Sequence, residues 1–275
     1  MTTRIAALFR YPVKGLSAEP LPLVALAPGA CLPQDRRFAI ALPTTSFDPE
    51  RPEWLSKTHF VMLMRDEKLA QLHTRFAAES GELTIECAGA IAVRARITEP
   101  RGCREVGEFL ARFLGPLVAG PLRIVEAPGH AFADARKKPN ATTDQYVSLI
   151  NLASIAALEE TIGAPVDPIR FRANVYVEQA PAWSELAWVG SEIGLGGARL
   201  KVIAPITRCA ATEVNPASAK RDLDIVGALQ RGFGHNLMGV YAEVVEGGDI
   251  TNGDELVPRS AQIPGGMLYK VVRQS

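Results

Sequence analysis

The apolar residues of this chain fall into many short segments that are separated by turn-forming residues. Residues 83–87 alternate apolar and polar side chains, as a half-buried strand does. Gly196-Gly197 joins two further segments of this kind and predicts a hairpin. Helical spacing is confined to three segments, residues 104–114, 152–162 and 224–230. The pattern predicts a mainly β fold with a few helices, at the margin of the α+β class, with closed or barrel-like sheets.

One polar loop suggests where the chain divides. The 275 residues suit one large or two modest domains, and an apolar content of 47% is enough for a sizeable core. Residues 127–145 form a polar stretch that includes a basic cluster, typical of a solvated surface loop. We therefore predict two β-rich domains, a β-barrel over residues 1–125 and a barrel-like domain over residues 126–275.

The charge balance limits the classes of partner. The chain has 30 basic and 30 acidic residues, so its formal net charge is zero. Nucleic acids and anionic membranes both attract proteins with a basic excess, so neither is expected as a partner. An anionic ligand would have to be bound by a local cluster of basic residues.

The first residues and the cysteines indicate a compartment. Residues 1–5 lack the long apolar core of a signal peptide, and the longest uncharged apolar run, residues 146–158, is too short to span a bilayer. None of the four cysteines has CxxC spacing, which argues against a zinc ribbon or a thioredoxin motif. We expect a soluble, cytoplasmic protein in a reducing environment.

Residues 199–216 contain the most distinctive cysteine. An apolar run from Leu200 to Ile206 contains β-branched residues and Pro205, which suggests a strand end or an edge. Thr207, Arg208 and Cys209 follow it. The neighbouring positive charge favours the thiolate of Cys209, which is the form that acts as a nucleophile or as a ligand to a soft metal. A small buried hydrophobe is the alternative interpretation of Cys209.

Other kinds of site find less support. The other three cysteines have structural interpretations: Cys87 as a core residue, Cys103 as a helix-start residue, and Cys31 as part of a turn. The four histidines lack metal-pair spacing, and no P-loop or dinucleotide fingerprint is present.

Several scattered basic residues remain. They are Lys14, Arg36, Arg37, Arg172 and Arg208, and each alone could be a solvated surface charge. Arg172 is less easily explained in this way, because it falls in an apolar segment, residues 171–177, that predicts a strand with Arg172 and Asn174 on one face. A phosphate group is one ligand that would use several of these charges together.

The motifs together resemble a known family. Residues 207–216, Thr-Arg-Cys-Ala-Ala-Thr-Glu-Val-Asn-Pro, resemble the signature of the MOSC (molybdenum cofactor sulfurase C-terminal) domain. Residues 11–15, Tyr-Pro-Val-Lys-Gly, and residues 35–38, Asp-Arg-Arg-Phe, resemble the β-barrel domain that precedes it. The chain is similar in kind to the mitochondrial amidoxime reducing component and to bacterial reductases of N-hydroxylated base analogues.

This resemblance implies a bound molybdenum cofactor (Mo-molybdopterin), and pyridoxal phosphate is not expected. It makes Cys209 the thiolate ligand to molybdenum and the catalytic residue. Residues expected to bind the cofactor, from the family's motifs, are Lys14, Gly15, Arg36, Ser154, Arg172, Asn174, Thr207, Arg208 and Asn236.

The resemblance also implies a reaction. We expect reduction of N-hydroxylated substrates (amidoximes, hydroxylamines or N-oxides) with electrons from a separate ferredoxin- or cytochrome-type donor. The cysteine set of a plant-type [2Fe–2S] domain is absent from the sequence. The alternative function is that of a binding or carrier protein, either for the molybdenum cofactor or for sulfur held as a persulfide on Cys209.

Overall fold

A sheet of eight strands dominates the structure, a computed structural model that describes residues 2–118, 120–134 and 145–259. Its strands, in spatial order, are β15 (Leu256–Arg259), β11 (Glu192–Leu195), β12 (Ala198–Thr207), β13 (Leu237–Glu246), β9 (Val147–Asn151), β10 (Val175–Glu178), β1 (Arg4–Arg10) and β2 (Glu19–Leu21). All neighbours in it are antiparallel except β9 and β10, which are parallel. A helix, α2 (Leu152–Ile162), lies between these two strands in the chain, as a parallel crossover requires.

The sheet curls until its two ends meet. The first half of β1 hydrogen-bonds to the segment that leads into β15: Ile5 N donates to Asp254 O at 2.8 Å, and Leu256 N donates to Thr3 O at 2.8 Å. The second half of β1 pairs with β2 instead. Closing a sheet in this way satisfies its edge groups, and it confirms the predicted barrel-like, mainly β architecture.

The remaining strands form smaller sheets. They are β3 (Leu23–Leu26) with β14 (Gly248–Thr251), β4 (Phe38–Ala41) with β8 (Arg123–Glu126), and the antiparallel trio β5 (Leu72–Ala77), β6 (Glu82–Cys87) and β7 (Ala90–Arg96). A long helix, α1 (Pro100–Leu114), packs against β7 and β8. Two further helices, α3 (Ser184–Ala187) and α4 (Ile225–Phe233), accompany the large sheet.

The hydrophobic cores follow these groups. One core draws all of its buried residues from positions 13–124, around β4–β8 and α1. The core of the large sheet combines residues 5–32 with residues 147–256. The boundary at residues 125/126 stays a prediction, with the addition that β1 and β3 pair with strands of the second half of the chain.

Most predicted local elements are present. The helix predicted at residues 152–162 has those bounds, and Gly163 ends it in the left-handed region at φ 74°. The predicted hairpin forms β11 and β12. Helix α1 begins at Pro100, four residues before the predicted start, because Pro favours the first turn of a helix. The apolar segment at residues 267–272 lies outside the described residues.

The strand predicted over residues 171–177 is wrong in its first half. Pro168–Phe171 is a 3₁₀ turn, begun by Asp167, whose carboxylate accepts a hydrogen bond from Ile169 N. Arg172 then takes the left-handed conformation at φ 52°, and the strand starts only at Val175. Apolar alternation alone does not reveal such a turn, because the 3₁₀ residues are as apolar as the strand.

None of the helices in the described ranges is long and apolar enough to cross a membrane.

Helix α1 depends on a glycine for its close approach to β8. A Cβ at Gly107 would overlap the carbonyl oxygen of Leu122, which is main chain and cannot turn aside. We expect Gly107→Ala to lower the free energy of unfolding by about 1–3 kcal/mol, as measured by denaturant titration. Glu108→Ala, on the exposed face of the same helix, should change it by less than about 0.5 kcal/mol. Equal stability of the two variants would contradict this packing.

Candidate functional site

A cavity of about 570 Å³ lies where the two halves of the chain meet. Its walls come from the loops after β1 and before β4, from residues 62–64 and 131–134, and from the segments that flank β9, β10 and β12. Eight of the ten residues predicted for the site line it, namely Lys14, Gly15, Arg36, Arg172, Asn174, Thr207, Arg208 and Cys209. Residues far apart in the sequence are therefore gathered around one space.

Cys209 lies at the cavity wall just beyond the end of β12. Strand β11 pairs with β12 only as far as Lys201, so Pro205 occupies a stretch of β12 that is paired on the β13 side alone, as a strand proline requires. Cys209 is partly buried, its thiol is free, and it precedes the 3₁₀ turn Ala210–Glu213. Its carbonyl oxygen accepts hydrogen bonds from the Thr212 amide and hydroxyl, at 3.0 and 2.9 Å.

Arg170 holds this turn from within. Its Nη1 donates to Glu213 O at 3.0 Å and its Nη2 to Asp222 Oδ1 at 2.6 Å. The side chain is almost fully buried, and its Nε lacks a hydrogen-bond partner among the described residues. Arg170 was not predicted as a site residue, although its position two residues before Arg172 was a possible signal.

Arg208 also serves the architecture of the site. Its Nε donates to Met238 O and its Nη1 to Phe171 O, both at 2.8 Å, so it ties β13 to the turn before Arg172. Gly239 leaves room for it, since a Cβ there would lie 3.2 Å from Nη2. Burial lowers the pKa of Arg208, and its Nη2 has no hydrogen-bond partner in the part of the chain that the structure describes. The predicted effect of this charge on the Cys209 thiolate stays a prediction.

Tyr11 supports two arginines. The guanidinium carbons of Arg36 and Arg172 lie 4.8 and 4.4 Å from the centre of its buried ring, within reach of cation–π attraction. Arg36 also donates to the carbonyl oxygen of Arg172 at 2.9 Å and pairs with Asp35, which accepts a hydrogen bond from Tyr11 N at 2.7 Å. Burial alone would lower the pKa of Arg36, but the Asp35 carboxylate outweighs it and the pKa is raised.

Arg172 lacks such a counter-charge. No carboxylate of the described residues forms an ion pair with it, and its guanidinium makes no hydrogen bond to them. Burial lowers its pKa, and the nearby Arg36 acts in the same direction. Arg172 thus presents at the cavity wall a cation without an ion-pair partner among the described residues, while the Asp35 carboxylate partly opposes the lowering of its pKa.

Lys14 and Asp134 form an ion pair on another side of the cavity. Lys14 also donates to Phe132 O at 3.0 Å. Burial lowers the pKa of Lys14, while Asp134 opposes that shift. For Asp134 the direction is the reverse: burial alone would raise its pKa, but Lys14 outweighs it and the pKa is lowered.

The net charge of the lining is positive. Basic lining residues are Lys14, Arg36, Lys57, Arg170, Arg172 and Arg208, whereas the acidic ones are Asp35 and Asp134. Among the described residues, the six basic ones outnumber the two carboxylates, so this part of the cavity is suited to an anionic ligand.

Three further lining residues differ in what they offer a ligand. The Asn174 side chain is already engaged, because its Oδ1 accepts from Ser148 Oγ at 2.7 Å and its Nδ2 donates to Phe9 O at 3.2 Å. Gly15 adopts φ 87°, a backbone conformation that residues with a Cβ rarely adopt. Thr207 is exposed at the end of β12.

Two predicted site residues do not line the cavity. Ser154 is fully buried at the start of α2, where its hydroxyl donates to Glu185 Oε2 at 2.8 Å and accepts from Trp183 N at 2.7 Å. It fastens α3 to α2 instead. Asn236 contributes its carbonyl oxygen, which accepts from Arg208 N at 2.8 Å.

Some lining residues were not predicted, because nothing in their sequence surroundings distinguishes them from ordinary strand or turn residues. Ser148, Tyr146 and Tyr241 enter the cavity from β13 and the start of β9. Cys31, interpreted above as an ordinary turn residue, also lines it, and burial raises the pKa of its thiol to about 12. Within the described ranges no three His, Cys, Asp or Glu side chains converge on a metal position.

Comparison with known proteins identifies the second half of the chain. Residues 129–257 match the family model of the MOSC domain. Over these residues the chain is similar to the MOSC domain, a class associated with molybdenum-cofactor proteins of the sulfurase and reductase types.

Two solved structures are similar to this chain. The YuaD protein from Bacillus subtilis shares 15% identity at a TM-score of 0.45, over 95% of this chain and 98% of its own. YiiM from Geobacillus stearothermophilus shares 20% identity at a TM-score of 0.35, over 43% of this chain and 56% of its own. No curated protein shows a significant match.

The position of Ser154 yields a test. Ser154→Ala removes both hydrogen bonds, one of them to the buried Glu185 carboxyl, so we expect a loss of about 1–3 kcal/mol in the free energy of unfolding. Because Ser154 lies away from the cavity, the molybdenum and pterin content of the folded variant should stay at the wild-type level. Ser80→Ala, at an exposed turn, is the control. A folded Ser154→Ala protein that lost the cofactor would restore Ser154 to the binding site.

Proposed function

We propose that this protein is a molybdenum-cofactor-dependent oxidoreductase that reduces N-hydroxylated compounds such as amidoximes, hydroxylamines or N-oxides. In the overall reaction the N–O bond breaks, two electrons and two protons are consumed, and the products are an amine or amidine and water. The observation that carries the proposal is the Cys209 thiol in the wall of a cavity whose basic residues outnumber its acids.

The residues of the cavity suit the cofactor. Thiolate sulfur is a donor that soft metal centres prefer, and Cys209 offers one. Phosphate needs charged donors, and the unneutralised Arg172 and the partnerless Nη2 of Arg208, considered among the described residues, supply them. Since a buried donor without a partner costs free energy, a bound anion would stabilise these groups.

The protein's own part is to bind and to orient. When bound, the molybdenum cofactor supplies the two-electron chemistry of the reaction. Cys209 would ligate the metal, while Lys14, Arg36 and Arg172 would hold the anionic pterin phosphate. Tyr11 fixes the two arginines against its ring, which limits their rotamers before a ligand arrives. The side chains of Met62 and Met64 offer an apolar surface for the substrate.

Electrons would come from a separate protein of the ferredoxin or cytochrome type. The chain's four cysteines lack the spacing that holds a plant-type iron–sulfur cluster, and Cys209 is assigned to molybdenum.

Metal analysis and turnover together test the proposal. Full chain from a host that makes the cofactor should contain molybdenum and pterin, and it should reduce an amidoxime with a chemically reduced viologen as artificial donor. Full molybdenum occupancy without turnover of any of the three substrate classes would refute the reductase and favour a cofactor carrier. Protein without molybdenum but with a persulfide on Cys209 would favour a sulfur carrier.

Cys209→Ser tests the ligand assignment directly. A serine hydroxyl ionises far less readily than a thiol and is a hard donor, so we expect turnover to fall by about a hundredfold or more, beyond the usual effect of outer-shell changes. The unfolding midpoint should stay close to that of the wild type. Cys87→Ser, away from the cavity, should keep its activity. Full turnover by the Cys209→Ser protein would exclude the assignment.

A further inference from the structure

The two halves of the chain meet along a seam beside Cys209. Residues 62–64, and Ala211 and Thr212 in the 3₁₀ turn after Cys209, both line the cavity. No strand pairing joins these two segments in the described part of the chain. Something other than the sheets must hold them together.

Arg221 bridges this seam from the solvent side. Its Nη1 donates to Ala210 O at 2.9 Å, and its Nη2 donates to Met64 O at 2.5 Å. The carboxylates of Glu67 and Glu213, one on each side, lie 3.4 and 3.7 Å from its guanidinium. A single side chain thus binds main-chain and acidic groups of both halves.

The loop that carries Arg221 is well braced. Val214 forms a bridge with Arg221, and Asn215 N donates to Lys220 O at 2.8 Å. The side chain of Asn215 accepts from Ala217 N at 2.9 Å and donates to Asp222 Oδ2 at 2.6 Å. These bonds fix the position from which the guanidinium reaches across the seam.

Asp222, the residue after Arg221, restrains the same turn from the interior of the protein. Asp222 pairs with the buried Arg170, which binds the carbonyl oxygens of Thr212 and Glu213. Two consecutive residues therefore restrain the turn after Cys209 from opposite sides, Asp222 through Arg170 and Arg221 directly. Only Arg221 also reaches the other half of the chain.

We propose that Arg221 is a positioning residue that holds this seam closed and thereby limits the entry of molecules to Cys209. An exposed arginine–glutamate pair alone would contribute little, and the side chain of Arg221 is 34% exposed. The difference here is that its donors bind two carbonyl oxygens on separate halves, and charge-assisted bonds of this kind are stronger than neutral ones. The proposal does not depend on the activity proposed above.

Thiol labelling measures this access. Full chain is prepared from a host that lacks the pterin cofactor, so that the Cys209 thiol is free. It is treated either with iodoacetamide or with a maleimide that bears a fluorescein group, and the labelled peptides are quantified by mass spectrometry. Cys87 and Cys103, which do not line the cavity, are internal references for general loosening.

Arg221→Ala should speed labelling of Cys209 by the bulky maleimide by about tenfold, the change expected when opening the seam no longer breaks the charge-assisted hydrogen bond to Met64 O. The small iodoacetamide should gain less, because a wider seam matters most for a large reagent. Arg221→Lys, which keeps the charge but loses the fork of donors, should give an intermediate rate. Arg231→Ala removes an exposed arginine paired with Asp224 on α4 and should leave the rate unchanged.

Three results would overturn the proposal. One is an unchanged Cys209 rate in a folded Arg221→Ala protein. Another is an equal gain for both reagents, which would indicate a more reactive thiol rather than a wider seam. The third is a parallel rise at Cys87 and Cys103, which would indicate general destabilisation. A wild-type protein that proved to lack reductase activity would leave this measurement and its meaning intact.

Discussion

The central constraint of this structure is the assembly of several cations around one cavity with too few carboxylates to neutralise them. Burying a charge is costly unless it is paired or hydrogen-bonded. The chain meets part of that cost with Asp35 and Asp134, with the ring of Tyr11, and with main-chain carbonyl oxygens for Arg208. What remains is positive charge at Arg172 and, among the described residues, a donor on Arg208 without a partner, so an anion bound in the cavity would stabilise these groups. Ligand binding and stability are coupled in such a site.

Much of the local structure could be predicted because it depends on neighbours in the sequence. The glycine that ends α2, the hairpin of β11 and β12, and the cysteine just beyond β12 all follow from spacing and turn chemistry. The gathering of most predicted site residues around one cavity owes more to the resemblance of the short motifs than to any single residue. A lone lysine or arginine gives no sign of whether it faces a cavity or solvent.

The failures share a physical cause. Ser154 is polar and buried away from the cavity, and its hydrogen bonds are filled by partners far along the chain, which the sequence does not display. Arg172 was placed on a strand because its neighbours are apolar, yet the backbone there is left-handed. Arg170 was not predicted because it binds main-chain carbonyl oxygens. Such acceptors are present at every residue, so a pattern of side chains does not show which of them are used.

The closure of the large sheet has a consequence for how the chain is made. Strand β1 is synthesised first, but its partners β10 and the segment before β15 emerge from the ribosome only after residues 13–124 have been completed. Those residues possess a core of their own and can collapse early, as a unit inserted into an unfinished barrel. Until the last strands arrive, β1 presents unpaired edge groups that can recruit other chains. The time between the first strand and the last is therefore the interval in which this protein is most exposed to aggregation.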